Sequence, residues 1–185
     1  MPEATRELRA RLKEKLEGCV RTGKITLSSG KETDFYFDGR LVSLEPEGSA
    51  LLAELFLEAL VEEGIDAVGG LTSGADPLTS SIGVLAYQKD VPMHLFYVRK
   101  EAKGHGTQKR LEGPPLPPDA RIGLVDDVLT TGGSLLKARD ALRDEISAPV
   151  RRAFVVIDRQ EGGRERLAEE GIEVTSLFRK DDFLP

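Results

Sequence analysis

The 185-residue chain has no asparagine, two methionines, two histidines and a single cysteine. Cys19 alone can neither close a disulfide within the chain nor build a zinc cluster, and it is expected to be a small buried apolar residue. No apolar run is long enough to cross a bilayer. The N-terminus, Met1 to Leu8, is charged from the start and lacks the apolar region of a signal peptide. A cationic excess is missing too: 26 Lys and Arg face 32 Asp and Glu, for a net charge of -6 and a pI near 5.1. That balance argues against a nucleic-acid or membrane partner. These absences point to a soluble cytoplasmic protein, and the length suits one domain over 1–185 with a full core. Absent Asn, scarce Met and abundant Arg and Glu are features that thermophilic proteins favour.

What is present alternates. Leu8, Leu12 and Leu16 sit at four-residue spacing in a helix predicted over Thr5 to Leu16. Ile25 to Leu44 reads as short extended pieces. Pro46 opens a second helix that runs to Gly64. Strands are then predicted at Ala67–Gly70, His94–Val98, Arg121–Val125, Arg152–Ile157 and Glu173–Phe178. Helices are predicted between them at Leu78–Gln88, Ser134–Arg143 and Arg164–Glu170. Strand and helix in alternation imply an α/β fold with a parallel sheet of about five strands covered on both faces. Ligands of such sheets gather at the carboxyl ends of the strands. One segment breaks the pattern. Lys100 to Pro118 is long, polar and glycine-bearing and ends in Pro-Pro-Leu-Pro-Pro, the length of a functional loop.

The most informative stretch is Ile122 to Ala138. An apolar run ends in Asp126 and Asp127, Thr130-Thr131-Gly132-Gly133-Ser134 follows, and a helical pattern begins. An ordinary turn in a parallel α/β protein also has this outline, with Asp and Thr as helix caps. The full run asks for more. Unpaired amides at a helix start attract a phosphate, the glycines let the backbone approach it, and the hydroxyls add donors. The adjacent carboxylates suit vicinal sugar hydroxyls, directly or through a divalent metal. Together they suggest a ribose 5-phosphate site.

Further constellations lie at predicted strand ends. Arg99-Lys100-Glu101-Ala102-Lys103-Gly104-His105-Gly106 heads the long loop with three cations and a histidine; most such runs are solvated, but on a loop able to close it suits a polyphosphate. Asp158-Arg159-Gln160-Glu161-Gly162-Gly163 holds an arginine whose planar fork fits a carboxylate. Gly69 to Pro77 joins a strand to a helix without the Gly-x-Gly-x-x-Gly spacing of a dinucleotide site. His94 begins a strand and is expected to be packed or exposed rather than catalytic.

The Asp-Asp-to-Ser run resembles the phosphoribosyl pyrophosphate (PRPP) motif of the type I phosphoribosyltransferases. The spacing Arg-Lys-x-x-Lys-x-His-Gly and the stretch Asp-Arg-x-Glu-x-Gly resemble the flexible loop and the base-recognising turn of the orotate branch. Thr26 to Lys31, followed by Asp34 to Asp38, is similar to that branch's N-terminal hood. The resemblance spans about Thr26 to Gly163. It implies the type I phosphoribosyltransferase fold, with a hood over about 1–45 and a lid over about 100–118. It implies transfer of ribose 5-phosphate from PRPP to orotate with Mg²⁺ as cofactor, held mainly by the substrate rather than by direct protein ligands. It implies catalytic roles for Lys103, His105, Asp126 and Asp127. PRPP would be held by Arg99, Lys100, Lys103, His105, Asp126, Asp127, Val128, Leu129, Thr130, Thr131, Gly132, Gly133 and Ser134. Orotate would meet Thr130, Arg159, Tyr36 and Phe37, and pyrophosphate the loop at Ser73 and Gly74. It further implies a homodimer whose lid residues reach the neighbouring subunit's site. This chain departs from some family members at Ser28, where they carry a substrate-contacting lysine and where Lys31 is the nearby cation, and at Ser73 and Gly74, where they place an aromatic and a lysine. A purine-type phosphoribosyltransferase and a PRPP-sensing regulator remain the alternatives. The first should not need Arg159 or the cationic loop, and the second should show a basic face.

Overall fold

The computed structural model describes residues 2–26, 32–101 and 109–184. Ser28, Lys31, Lys103, Gly104, His105 and Gly106 therefore lie outside the described residues. The Leu8-Leu12-Leu16 stripe forms α1 (Glu3–Glu17), which buries Leu12 and Leu16. An antiparallel hairpin follows, β1 (Val20–Thr26) with β2 (Glu32–Phe37). Side chains alternate along β2: Phe35 and Phe37 enter the core, and Tyr36 between them stays half-exposed. The segment expected to be extended to Leu44 instead closes in a short helix, α2 (Arg40–Ser43). Asp38 causes the turn: its carboxylate accepts the Arg40 N–H at 3.2 Å, and its carbonyl accepts the Leu41 N–H at 3.2 Å. Helix α3 (Pro46–Glu62) starts on its proline, with the Glu45 carboxylate capping the N–H groups of Glu47 and Gly48.

The rest alternates as expected: β3 (Ala67–Leu71), α4 (Ala75–Gln88), β4 (His94–Val98), β5 (Leu111–Glu112), β6 (Ile122–Leu129), α5 (Gly133–Ile146), β7 (Val150–Asp158), α6 (Gly163–Glu169) and β8 (Glu173–Arg179). The sheet runs β5-β4-β3-β6-β7-β8. Its five long strands are parallel, and β5 is antiparallel to β4. A two-residue strand is too short for periodicity to reveal, and it falls inside the span read from the sequence as loop.

Two apolar layers sandwich the sheet. Val68, Val125 and Phe154 pack with α1, α3 and α4, while Leu124, Leu129 and Val155 pack with α5 and Leu167 of α6. Leu124 is fully buried, and its replacement by alanine would cost roughly 2–5 kcal/mol. Strand β3 leads through α4 to β4 on one side, and the chain then crosses to β6 on the other. Pairing of β3 with β6 stops at Gly69 and Leu124, whereas β6 stays paired with β7 out to Leu129. The sheet therefore splits at its carboxyl edge where strand order reverses, the place where ligands bind in such folds. The same pairing corrects the predicted end of the motif strand. Asp126 does not follow the strand but lies within it, opposite Val155.

Candidate active site

Two cavities meet at Asp126. The first, about 270 Å³, fills the split between β3 and β6. Its walls are Asp126, Asp127 and Val128 of β6, Leu71 to Gly74 beyond β3, Tyr36 to Arg40 from the hood side, Lys100 after β4, and Ser134. The second, about 250 Å³, covers the start of α5 and is lined by Asp126, Val128 to Leu135 and Lys137. Asp126, Val128 and Ser134 belong to both.

Asp126 is only 7% exposed, and its Oδ1 accepts the Asp127 N–H at 3.0 Å. Burial, and then the charge of Asp127, pushes the Asp126 carboxyl well above the ordinary range, while Lys100 draws it back. Burial also raises Asp127, and Arg40 opposes that rise. Two backbones press on the pair. A Cβ on Gly39 would fall 2.6 Å from Asp127 Oδ2, and one on Gly74 would fall 2.5 Å from Asp126 Oδ1. The result is a tight acidic wall suited to neutral hydroxyls.

The second cavity is a nest. Gly132 takes a left-handed conformation (φ 75°) that lets the chain turn into α5, and no side chain caps that helix start. The first amides of a helix start have no intrahelical partner and can meet an anion. Ser134 and Lys137 are three residues apart, so they share a face. Leu129 has its side chain in the core at 1% exposure, so only its backbone is available to a ligand.

The turn after β3 carries a cis peptide between Thr72 and Ser73, and the Thr72 N–H donates to the Val98 carbonyl at 2.8 Å. Among the described residues of the cationic segment, Lys100 reaches the first cavity. Arg99 instead turns its guanidinium toward Glu112 at 3.6 Å.

Arg159 follows β7 and lies on the hood side, on the wall of neither cavity. Its N–H donates to the Leu129 carbonyl at 2.9 Å. Its Nη2 donates to Thr33 Oγ1 at 2.9 Å and to the Phe35 carbonyl at 3.0 Å, and pairs with Glu161 at 2.7 Å. Its Nε is buried and has no hydrogen-bond partner. Asp158, 2% exposed, holds this turn by accepting the Gln160 N–H and Arg164 Nε, both at 2.9 Å. Tyr36 lines the first cavity; Phe37 touches it while packed in the core. Cys19 is buried, its thiol pushed up chiefly by that burial, and His94 is exposed at the amino end of β4. Sequence reasoning overlooked Gly39, Arg40, Thr72 and Lys137. For Lys137 the signal was available, since it lies three residues beyond Ser134 on a predicted helix.

Comparison with known proteins identifies the family. Residues 43–177 match the family described as phosphoribosyl transferase domain. An orotate phosphoribosyltransferase of Rhodopseudomonas palustris (strain BisB5) is 44% identical over 165 residues, 88% of each chain. That of Thermosynechococcus vestitus is 43% identical over 183 residues, covering 98% of this chain and 96% of its own. The crystal structure of Mycobacterium tuberculosis H37Rv orotate phosphoribosyltransferase in complex with PRPP superposes with a TM-score of 0.78 at 32% identity, covering 95% of this chain and 98% of that one. The chain belongs to the phosphoribosyltransferase family. Within it, the relatives just named are orotate phosphoribosyltransferases.

Proposed function

We propose that this protein transfers ribose 5-phosphate from PRPP to orotate, giving orotidine 5′-monophosphate and pyrophosphate in de novo pyrimidine synthesis. The observation that carries this reading is the junction at Asp126, where the cavity walled by the acid pair and the cavity over the start of α5 share Asp126, Val128 and Ser134. The Thr130-to-Ser134 nest anchors the 5-phosphate, and Asp126 and Asp127 hold the ribose hydroxyls. The amides around Ser73 and Gly74 face the diphosphate with Lys100, and Arg99, Lys103 and His105 are assigned to the same group. Displacement at the anomeric carbon builds positive charge on the sugar and negative charge on the leaving group. The chain supplies positioning and fixed charge, and needs no covalent nucleophile. Arg159, supported by Thr33 and Glu161, is the residue we assign to the orotate carboxylate, which a guanidinium fork can meet with paired hydrogen bonds. Thr130, Tyr36 and Phe37 complete the base pocket.

No cluster of three or more metal-ligating side chains occurs among the described residues. A pair of carboxylates beside a diphosphate suits Mg²⁺, which keeps several waters and takes few protein ligands. Mg²⁺ held by the substrate oxygens would neutralise the diphosphate's charge. We also infer a homodimer in the cytoplasm. Leu41 of α2, Leu44 just after it, and Val84 and Tyr87 of α4 are 60%, 68%, 61% and 85% exposed. Apolar side chains so exposed suit a subunit interface.

The test is incubation with orotate, PRPP and Mg²⁺ while following the loss of orotate absorbance, alongside a panel of purine bases. Turnover of a purine in place of orotate would overturn the base assignment. Unchanged PRPP binding after Asp126→Asn and Asp127→Asn together would overturn the site.

A further inference from the structure

Lys100 approaches the acid pair from a strand edge that depends on a side chain elsewhere. Strands β4 and β5 pair Val98 with Leu111 and Tyr97 with Glu112. The ladder continues one step, because the Arg99 N–H donates to the Arg110 carbonyl at 2.9 Å and Arg110 Nε returns to the Arg99 carbonyl at 3.0 Å. A two-residue outermost strand has little stability of its own, and its outer amides meet no further strand. Here they meet Glu145, in the last turn of α5. Its carboxylate accepts the Arg110 N–H at 2.5 Å and the Leu111 N–H at 3.3 Å. Arg110 Nη2 also lies 3.5 Å from the Lys137 carbonyl of the same helix. The dipole of α5 disfavours an acid at its C-terminal end, so the helix itself gains nothing from this side chain. The edge strand does.

We propose that Glu145 is a positioning residue for the transfer reaction. By holding the amides of Arg110 and Leu111 it fixes the Arg99–Arg110 bridge, and that bridge sets Lys100 against Asp126 and the leaving diphosphate. The kinetic consequence rests on the function proposed above; the anchoring of the strand does not.

The test uses the full chain with Glu145→Ala, Glu145→Gln, Lys100→Ala and the Glu145→Ala/Lys100→Ala double variant. Glu145→Ala raises the KM for PRPP by about tenfold, the scale of one lost charge-assisted contact, and leaves the KM for orotate within about twofold. Glu145→Gln retains an acceptor oxygen and recovers most of the loss. The double variant matches Lys100→Ala alone, because one change acts through the other. Pyrophosphate affinity by calorimetry follows the same cycle. Hydrogen exchange at the Arg110 and Leu111 amides accelerates in Glu145→Ala, while the interior of α5 stays protected. Additive losses in the double variant would overturn the route through Lys100, and unchanged amide exchange would overturn the anchor. An inactive wild type would instead strike at the functional reading, leaving the exchange and pyrophosphate arms to decide this one.

Discussion

Gly74 stands so close to Asp126 that a Cβ there would fall 2.5 Å from its Oδ1, and 2.9 Å from Oδ1 of Asp127. The Gly74 backbone itself is unstrained, at φ -65° and ψ -38°, which alanine adopts freely. The methyl group of Gly74→Ala therefore moves the carboxylates rather than the chain. Misplacement of a positioned group by about 1 Å costs up to ~10²-fold in rate. We expect kcat/KM for PRPP to fall at least about tenfold with an unchanged circular dichroism spectrum. Full activity in this variant would show that the acid pair tolerates displacement.

The raised Asp126 carboxyl ties stability to pH. Its folded-state pKa lies above the unfolded value because of burial and Asp127. Between those two values the folded state binds the extra proton, so stability falls as pH rises through the folded pKa. Above it the penalty of a buried charge is fully present. Asp126→Asn keeps the shape, and its Oδ1 can still accept the Asp127 N–H. The variant should melt higher than wild type at pH 8, by about 2–4 °C for each kcal/mol recovered in a chain of this size. The gap should narrow on acidification as wild type takes up its proton, and activity should be largely lost. Melting curves from pH 5 to 9 check the sign; a gap that widens toward low pH would reverse the argument.

Much of this site was legible because its chemistry is local in sequence. Asp126 to Ser134 is one strand, one turn and one helix start, so residue order alone brought acid and nest together. The parallel strands were equally readable, since buried runs such as Val155 to Ile157 leave few alternatives. Contacts across the chain were not readable. Thr33 and Arg159 meet over a separation of 126 residues, and Gly39 reaches Asp127 from a turn within the hood. Two-residue β5 lacks the length for a periodic signal, and the helical turn at Arg40 depends on the Asp38 carboxylate rather than on apolar spacing.

The Thr33 contact leads to a prediction about the base. Arg159 has a side chain 12% exposed, and its buried Nε has no partner. A hydrogen bond to a charged group is worth about 1.5–3 kcal/mol. Arg159→Ala should accordingly raise the KM for orotate by roughly 10- to 100-fold and leave PRPP affinity near wild type. Arg159→Lys should rescue little, because an ammonium cannot present the same fork. Thr33→Val removes only the support and should give a smaller rise in the same constant. Equal effects on both substrates would mean that Arg159 holds the fold rather than the base.

Gly132 tests the nest separately from the acids. Its φ of 75° is one that residues with a side chain rarely adopt, and a Cβ would also meet Leu167 Cγ at 3.1 Å. The left-handed conformation costs alanine about 1–2 kcal/mol, so Gly132→Ala should lower Tm by roughly 2–8 °C. If the chain turns less tightly into α5, the amides proposed to meet the 5-phosphate shift with it. Binding of ribose 5-phosphate, measured by calorimetry below the melting range, should weaken by about tenfold or more, while pyrophosphate, which is assigned to the Ser73–Gly74 turn, should bind as before. The two ligands therefore separate a local fault in the nest from a general loss of structure. Parallel weakening of both would place the damage in the fold, and undiminished ribose 5-phosphate binding would remove the phosphate from this helix start.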